Sequence, residues 1–582
     1  MLRSILNFEK EQIDFFDFLN MTQKHYDTII LGGGLAGLTL SMQLKQQNPD
    51  IKVLVLEKRD DAAPDAAHKV GESTVELATH YLREVLGLKD YLDEHQLPKH
   101  GLRFFFSPKH KTTIHKRVEL GPKVLLPVPS HQLDRGILEN DLVRFSRELM
   151  NDVVLGAKVE NVDITTENHS VTYSVDGNQT TATARWVVDA SGRASILKRK
   201  FGFAQPHAHH CNAAWFRVDW KIDIDDWSAD EKWHSHVQPG LRYLSTVHLM
   251  DAGYWVWIIP LVGDKTSVGI VADPDIHPFD TYNTLQKSLA WLEKWEPQFS
   301  NELKAKTEGK ILDFKVMKHF AHHSGETFHT DRWAVTGEAG VFADPFYSPG
   351  SDFISMANTW TADLIQRDLK GEDIFFRTKF YSEVLKALFD NWMPIYTGQY
   401  PMWGSTQVMV GKIFWDWGAY WSINTLIFIN NGLTDLELLR QLTAGPKSLL
   451  QKYGELSRQM QKLFKDAMPY DTADITDRYT DPFELDFLRK FQEDIVEKEY
   501  TTEEMLDKLF SNLGILEHVA AEMFRLFSNL AHETEMDIDV DPYTMSLEGE
   551  TLESVNSKVV KRDAHIANEM KAMWFYEKAF SC

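Results

Sequence analysis

A chain of 582 residues, 43% hydrophobic and 25% charged, is longer than one hydrophobic core organises, so two or three structural units are expected. A net charge of −23 argues against a nucleic-acid partner, because phosphate recognition concentrates Lys and Arg. Only Cys211 and Cys582 are present, which excludes a disulfide scaffold or a cysteine-based metal site and points to a reducing compartment.

Residues 1–20 form a mixed apolar and charged N-terminal extension without the n-region, h-region and cleavage pattern of a signal peptide. No apolar run approaches the roughly 18 residues that a membrane span needs, so the expected localisation is cytoplasmic. Tyr26–Leu31 is expected to be a buried strand, Leu38–Gln47 a helix and Lys52–Leu56 a second strand, which together make a βαβ unit. Further strands are expected at Val171–Val175, Trp186–Val188 and Trp333–Thr336. Between about 205 and 320, alternating segments such as Tyr254–Ile259 and Thr266–Val271 indicate a second sheet. From about 376 onward the periodicity is helical, as in Leu449–Leu463 and Glu503–Leu526.

Gly32-x-Gly34-x-x-Gly37 follows a strand and opens a helix, the context a dinucleotide fingerprint requires. Gly32 permits the tight turn, Gly34 lets the backbone approach a pyrophosphate, and Gly37 lets helix and strand pack closely. The helix N-terminus offers unpaired N–H groups to phosphate. Glu57, at the end of the second strand, is placed to accept ribose hydroxyls. The fold class is therefore α/β with a Rossmann-type nucleotide-binding domain.

Three later segments narrow the family. Asp189-Ala-Ser-Gly192 and Gly337-Glu338-Ala-Gly340 each follow a strand, and Gln132-Leu-Asp-Arg135 lies between them and the fingerprint. They resemble the motifs of the FAD-dependent aromatic hydroxylase and halogenase superfamily. The resemblance implies FAD as cofactor, bound through Arg135, Asp189, Gly192, Gly337 and Glu338 as well as the fingerprint glycines and Glu57. It also implies a discontinuous FAD-binding domain (21–204 and 310–375), a mixed β-sheet substrate layer (205–309) and a helical C-terminal region (376–582).

Within that superfamily, Trp255-Val-Trp257-Ile-Ile-Pro260, Val70-Gly-Glu-Ser73 and Phe342-Ala-Asp-Pro-Phe-Tyr-Ser-Pro-Gly350 resemble flavin-dependent halogenases, closest to members acting on phenols and pyrroles. The resemblance implies that reduced FAD, supplied by a separate flavin reductase, activates dioxygen so that a bound chloride or bromide becomes hypohalous acid inside the protein. A lysine then presents that oxidant to an electron-rich ring, either a free small aromatic or one carried on a carrier protein. Trp255 and Trp257 would belong to the catalytic site, and Ser348 and Gly350 would bind halide.

The chain departs from the tryptophan-halogenase pattern. His80 stands nine residues after Gly71, where those enzymes place their lysine, whereas Lys99 lies 28 residues after it, as in phenol and pyrrole halogenases. Tyr347 replaces the glutamate beside the halide segment, and Pro349 replaces a threonine, removing one N–H from it. Lys99 is the expected oxidant-guiding group. Pro349 keeps open a second reading, an FAD-dependent monooxygenase or oxidase. A third is a non-catalytic flavin-binding scaffold. His207-Ala-His209-His210 and His322-His323 lack acidic or cysteine partners at metal-ligand spacing, so no metal is expected. The aromatic stretch Tyr400–Phe428 is expected to be a lid or docking surface.

Overall fold

The computed structural model describes residues 24–64, 69–106, 108–306, 310–496, 499–534, 537–549 and 553–576. The N-terminal extension 1–20 and Cys582 lie outside the described residues.

His25–Leu31 is the central strand of the first sheet because its apolar, β-branched run is buried on both faces. It pairs in parallel with Val53–Leu56 on one side and Asn178–Asp189 on the other; Asp152–Val154 and Trp333–Val335 extend the sheet. Leu31 is in register with both Leu56 and Asp189, and Asp189 with Val335. The segments that follow these strands therefore leave along one carboxyl-terminal edge, where open α/β sheets bind ligands. An antiparallel hairpin, Lys158–Asp163 and His169–Val175, pairs with the first half of Asn178–Asp189. One face carries the helices Leu35–Gln47, Arg135–Glu148 and Gly350–Leu369. Asp134 caps the second of these, accepting from the backbone N–H groups of Gly136 and Ile137.

The second sheet is mostly antiparallel and built around Asn212–Val218, Lys265–Ala272, Tyr254–Leu261 and Thr246–Asp251. Apart from Lys265 at one end, these four strands are buried along their whole length, because each face meets a different layer. Tyr254, Val256, Ile258 and Phe216 pack on Trp291, Leu292 and Phe299 of two covering helices, Leu285–Trp295 and Pro297–Lys306. Trp255, Trp257 and Ile259 face the opposite way, toward the first sheet's core.

The expected boundary between units needs two corrections. Leu102–Phe106 and Val118–Leu120, from the first part of the chain, and Tyr479–Thr480, from the helical region, are strands of the second sheet. The C-terminal helices also share one continuous apolar core with the nucleotide-binding layer. Periodicity identified the elements but not their partners, since pairing joins segments hundreds of residues apart. The longest helix, Thr502–His532, begins at a capping box in which Thr501 and Glu504 satisfy each other's backbone N–H groups. Among the described residues no helix is long and apolar enough to cross a membrane.

The stretch 400–428 is not a surface lid. The helix Thr406–Ala419 is buried at every position, because it is apolar nearly all round and Gly411 and Gly418 let Phe527 and Phe487 approach.

Candidate active site

A cleft of about 2310 Å3, including its open mouth, separates the carboxyl-terminal edge of the first sheet from the tryptophan face of the second. Gly32, with φ +114°, turns the chain so tightly that a Cβ would lie 2.4 Å from the carbonyl oxygen of Ala190. A Cβ on Gly37 would lie 2.0 Å from the carbonyl oxygen of Gly32, so this glycine packs helix on turn. Gly34 faces the cleft, with no protein atom within 4 Å of an added Cβ. The open space lies where a pyrophosphate approaches the helix N-terminus.

Glu57 lines the cleft and accepts from the N–H groups of Gly33 (2.7 Å) and Arg59 (2.8 Å), which hold both carboxylate oxygens at the strand end. Gly192, Gly337 and Glu338 line it too, with Arg193 3.8 Å from the Glu338 carboxylate. Burial raises the Glu338 carboxyl above the usual range, and Arg193 opposes this. Arg135 donates to the carbonyl oxygens of Val70 and Gly71 and to Glu139, and its Nε is buried at the cleft with no protein acceptor. These glycine cradles, the acids at two strand ends and this orphaned donor fit FAD.

Asp189 requires a correction, because its carboxylate is fully buried behind the cleft wall. It accepts from Ser191 N–H (3.0 Å), the Ser191 hydroxyl and Leu197 N–H (2.7 Å). It shapes the turn that presents Ala190, Ser191 and Gly192 to the cleft and does not itself face a ligand there.

Trp255 and Trp257 stand on the cleft wall. Trp255 donates to the Tyr400 hydroxyl at 3.2 Å and Trp257 to the Ser267 hydroxyl at 3.1 Å. Gly269, on the neighbouring strand, leaves room for the Trp257 ring, which a Cβ would meet at 2.2 Å.

Two of the motif segments form a partition. Glu72 and Ser73 line the cleft, whereas Val75 and Glu76 line a second cavity, whose envelope including its open mouth is about 900 Å3. Ser348, Gly350 and Ser351 likewise face the cleft, and Tyr347, Pro349 and Asp352 face the second cavity. That chamber is walled by Trp392, Tyr396, Trp415, Trp417 and Trp421 from the C-terminal helices. Arg217, from the second sheet, holds the first segment by donating to Glu72 (2.8 Å) and to the carbonyl oxygen of Lys69 (2.6 Å).

Pro349 is the N-cap of Gly350–Leu369. The Ser348 N–H is taken by the carbonyl oxygen of Pro345. The N–H groups of Gly350, Ser351 and Asp352 open the helix, where intrahelical acceptors are absent and the dipole favours an anion. The proline precedes these donors and removes none of them.

Lys99 is not a surface lysine. It is 3% exposed and lines the aromatic chamber, donating from Nζ to the Thr74 carbonyl oxygen at 2.6 Å. Burial lowers its pKa to about 7, against the opposing pull of Glu76 and Asp352. Asp352 accepts from Ala78 N–H (3.0 Å) and the Tyr420 hydroxyl (2.8 Å), and burial raises its pKa to about 8. Glu76 accepts from Gln492 at 3.0 Å, and burial raises its carboxyl too. His80 lines neither cavity and lies edge-on to Phe428.

Several site residues escaped sequence reasoning. Glu76, Asp352 and the chamber aromatics lie on helices whose pattern reads as ordinary core. His248 lines the cleft, stacked on Phe104 and Trp255, with burial pushing its pKa down to about 3. The alternation of Thr246, His248 and Met250 was its only signal.

The family model for an FAD binding domain matches residues 25–265. The flavin-dependent halogenase chlA of Dictyostelium discoideum is 28% identical over 430 residues, covering 69% of this chain and 70% of that protein. The 1H-pyrrole-2-carbonyl-(peptidyl-carrier protein) brominase of Pseudoalteromonas luteoviolacea is 25% identical over 369 residues, 62% of this chain and 81% of that one. Among solved structures, halogenase PltM in complex with phloroglucinol and FAD superposes with a TM-score of 0.60 at 16% identity, covering 85% of this chain and 96% of that chain. The flavin-dependent brominase Bmp2 gives 0.53 at 21%, covering 65% and 87%. Together with the cleft that fits FAD and the motifs that form its walls, these findings make the chain an FAD-dependent enzyme that is similar to flavin-dependent halogenases.

Proposed function

We propose that this enzyme halogenates an electron-rich aromatic ring, phenol-like or pyrrole-like, using reduced FAD, dioxygen and chloride or bromide. The observation that carries the reading is Lys99, a buried amine with a pKa near 7 at the partition between the FAD cleft and an aromatic chamber. When bound and reduced, FAD supplies the activation of dioxygen that turns halide into hypohalous acid.

The chain's own residues account for what surrounds that chemistry. The opening N–H groups of Gly350–Leu369 provide an anion site on the cleft side, beside Ser348. The partition keeps an oxidisable substrate in the chamber apart from the cleft. Lys99, neutral in a substantial fraction near pH 7, either donates a hydrogen bond to hypohalous acid or attacks its halogen, so that an N–halogen bond forms as the O–halogen bond breaks and water leaves, and it presents the halogen toward the chamber. The tryptophans and tyrosines there offer flat apolar faces to a ring. Glu76 and Asp352 line the same chamber as carboxyls that burial pushes toward the protonated, uncharged form.

A separate flavin reductase is the proposed electron source. The substrate is either free or held on a carrier protein, the latter supported by the pyrrole brominase among the relatives. The test is mass spectrometry after incubation with a flavin reductase, FAD, NADH, bromide and a panel of phenols, indoles and pyrroles, free and as carrier-protein thioesters. The expected product shows the paired isotope pattern of bromine. A product that gains oxygen alone would make the enzyme a monooxygenase.

A further inference from the structure

Tyr347 occupies an unusual place in the partition. It and Ser348 are consecutive non-glycine residues in the left-handed region, with φ +67° and +62°. L side chains adopt that conformation rarely, so the surrounding structure must hold it. The turn directs Tyr347 into the aromatic chamber and Ser348 into the FAD cleft.

A buried polar cluster of the C-terminal helices holds the tyrosine. Its hydroxyl donates to Asp416 Oδ2 at 3.0 Å. The same carboxylate pairs with Lys412 Nζ at 2.8 Å and accepts from Gln461 Nε2 at 2.8 Å, and Lys412 donates to the Gln461 side-chain oxygen. Lys412 and Asp416 are one turn apart on a helix buried throughout. Such a pair removed from water gains little for stability against apolar residues of similar volume. The cluster ends on Tyr347, which lines the chamber beside Asp416 and Gln461 and is followed directly by Ser348 on the cleft wall. Phe346 and Phe104 support the other side of the Tyr347 ring, at centroid distances of 4.2 and 6.2 Å.

We infer that Tyr347 is the gate between the FAD cleft and the aromatic chamber, and that Lys412, Asp416 and Gln461 are positioning residues that hold it. The inference rests on the halogenase reading: the gate matters because an oxidant made in the cleft must reach Lys99 without escaping to solvent. Tyr347 is not a catalytic group here; its task is the shape of the passage.

The experiment measures where the oxidant goes. The full-length enzyme is run with reductase, FAD, NADH, bromide and a phenol it brominates, and N-acetylmethionine traps released hypobromous acid as the sulfoxide. Tyr347→Phe removes only the hydroxyl, and the double variant Lys412→Met/Asp416→Leu removes both charges so that neither is left unpaired. Both should bind FAD like the parent while brominated phenol per flavin reoxidised falls about tenfold, the scale of one hydrogen bond to a charged group, and sulfoxide rises to match. Asp416→Glu should restore part of the coupling. If both variants partition oxidant like the parent, or if Tyr347→Phe loses product only in proportion to lost FAD, the gate is overturned. Should the double variant fail to fold, Tyr347→Phe decides alone. A parent enzyme that yields neither brominated phenol nor sulfoxide overturns the halogenase reading itself, and the gate with it.

Discussion

Lys99 Nζ donates to the carbonyl oxygen of Thr74 at 2.6 Å, and Thr74 lies between Ser73, which faces the FAD cleft, and Val75, which faces the aromatic chamber. The amine is thus tied to the backbone of the partition itself. A backbone carbonyl accepts a hydrogen bond from either protonation state, so this anchor survives loss of the charge.

Lys99→Ala is expected to bind and reoxidise FAD like the parent while halogenated product drops by at least about a hundredfold, the range of a lost group that acts in the transition state. Lys99→Arg should fail as well, because guanidinium stays charged and cannot act as a neutral amine. Mass-spectrometric product counts beside oxygen consumption separate these steps. His80→Ala, at a residue outside both cavities, should retain product; the reverse pattern would transfer the guiding role to His80.

Coupling should depend on pH through Lys99. Its amine is charged below about 7 and neutral above, so product per flavin reoxidised should fall as pH drops from about 8 to 6. FAD content should not change over that window. A flat profile between those values would show that the neutral amine is not required.

Asp352 predicts a signature in stability. Its folded pKa of about 8 lies above the ordinary value of about 3.9, so its contribution is fully present at low pH. It is lost as pH rises through about 8, because the folded state resists ionisation. Asp352→Asn should flatten the fall of Tm between pH 5 and 8.5, read by calorimetry on both proteins. An unchanged slope would mean that the carboxyl ionises freely.

The fingerprint glycines should separate binding from folding. Gly34→Ala meets no protein atom within 4 Å and should fold normally yet bind FAD at least about tenfold more weakly, from intrusion on the pyrophosphate. Gly37→Ala places a Cβ 2.0 Å from the Gly32 carbonyl oxygen and should reduce folded yield. Flavin absorbance per folded protein, with circular dichroism, distinguishes the two.

Pro349→Ala tests the halide reading. Because the opening N–H groups belong to Gly350, Ser351 and Asp352, the KM for bromide should change by no more than about twofold. A large fall in that KM would show that the N–H gained by the alanine variant, which Pro349 lacks, was the missing donor.

The sequence by itself determined the nucleotide-binding half. A strand, three glycines and an acid at fixed spacing dictate a tight turn and a helix N-terminus, a geometry local to about thirty residues. It also marked both segments that form the partition and singled out Lys99 by its spacing from Gly71. What only the tertiary structure decided is which side of that partition each residue faces. Tyr347 and Ser348 are neighbours in the chain yet open into different cavities, because their left-handed backbone reverses direction between them. The aromatic chamber was illegible for a related reason. Its walls come from helices whose patterns encode burial, and burial against a cavity and burial against another side chain leave the same apolar signal. Asp189 shows the converse, a motif residue whose buried hydrogen bonds turn it away from the ligand it was expected to touch.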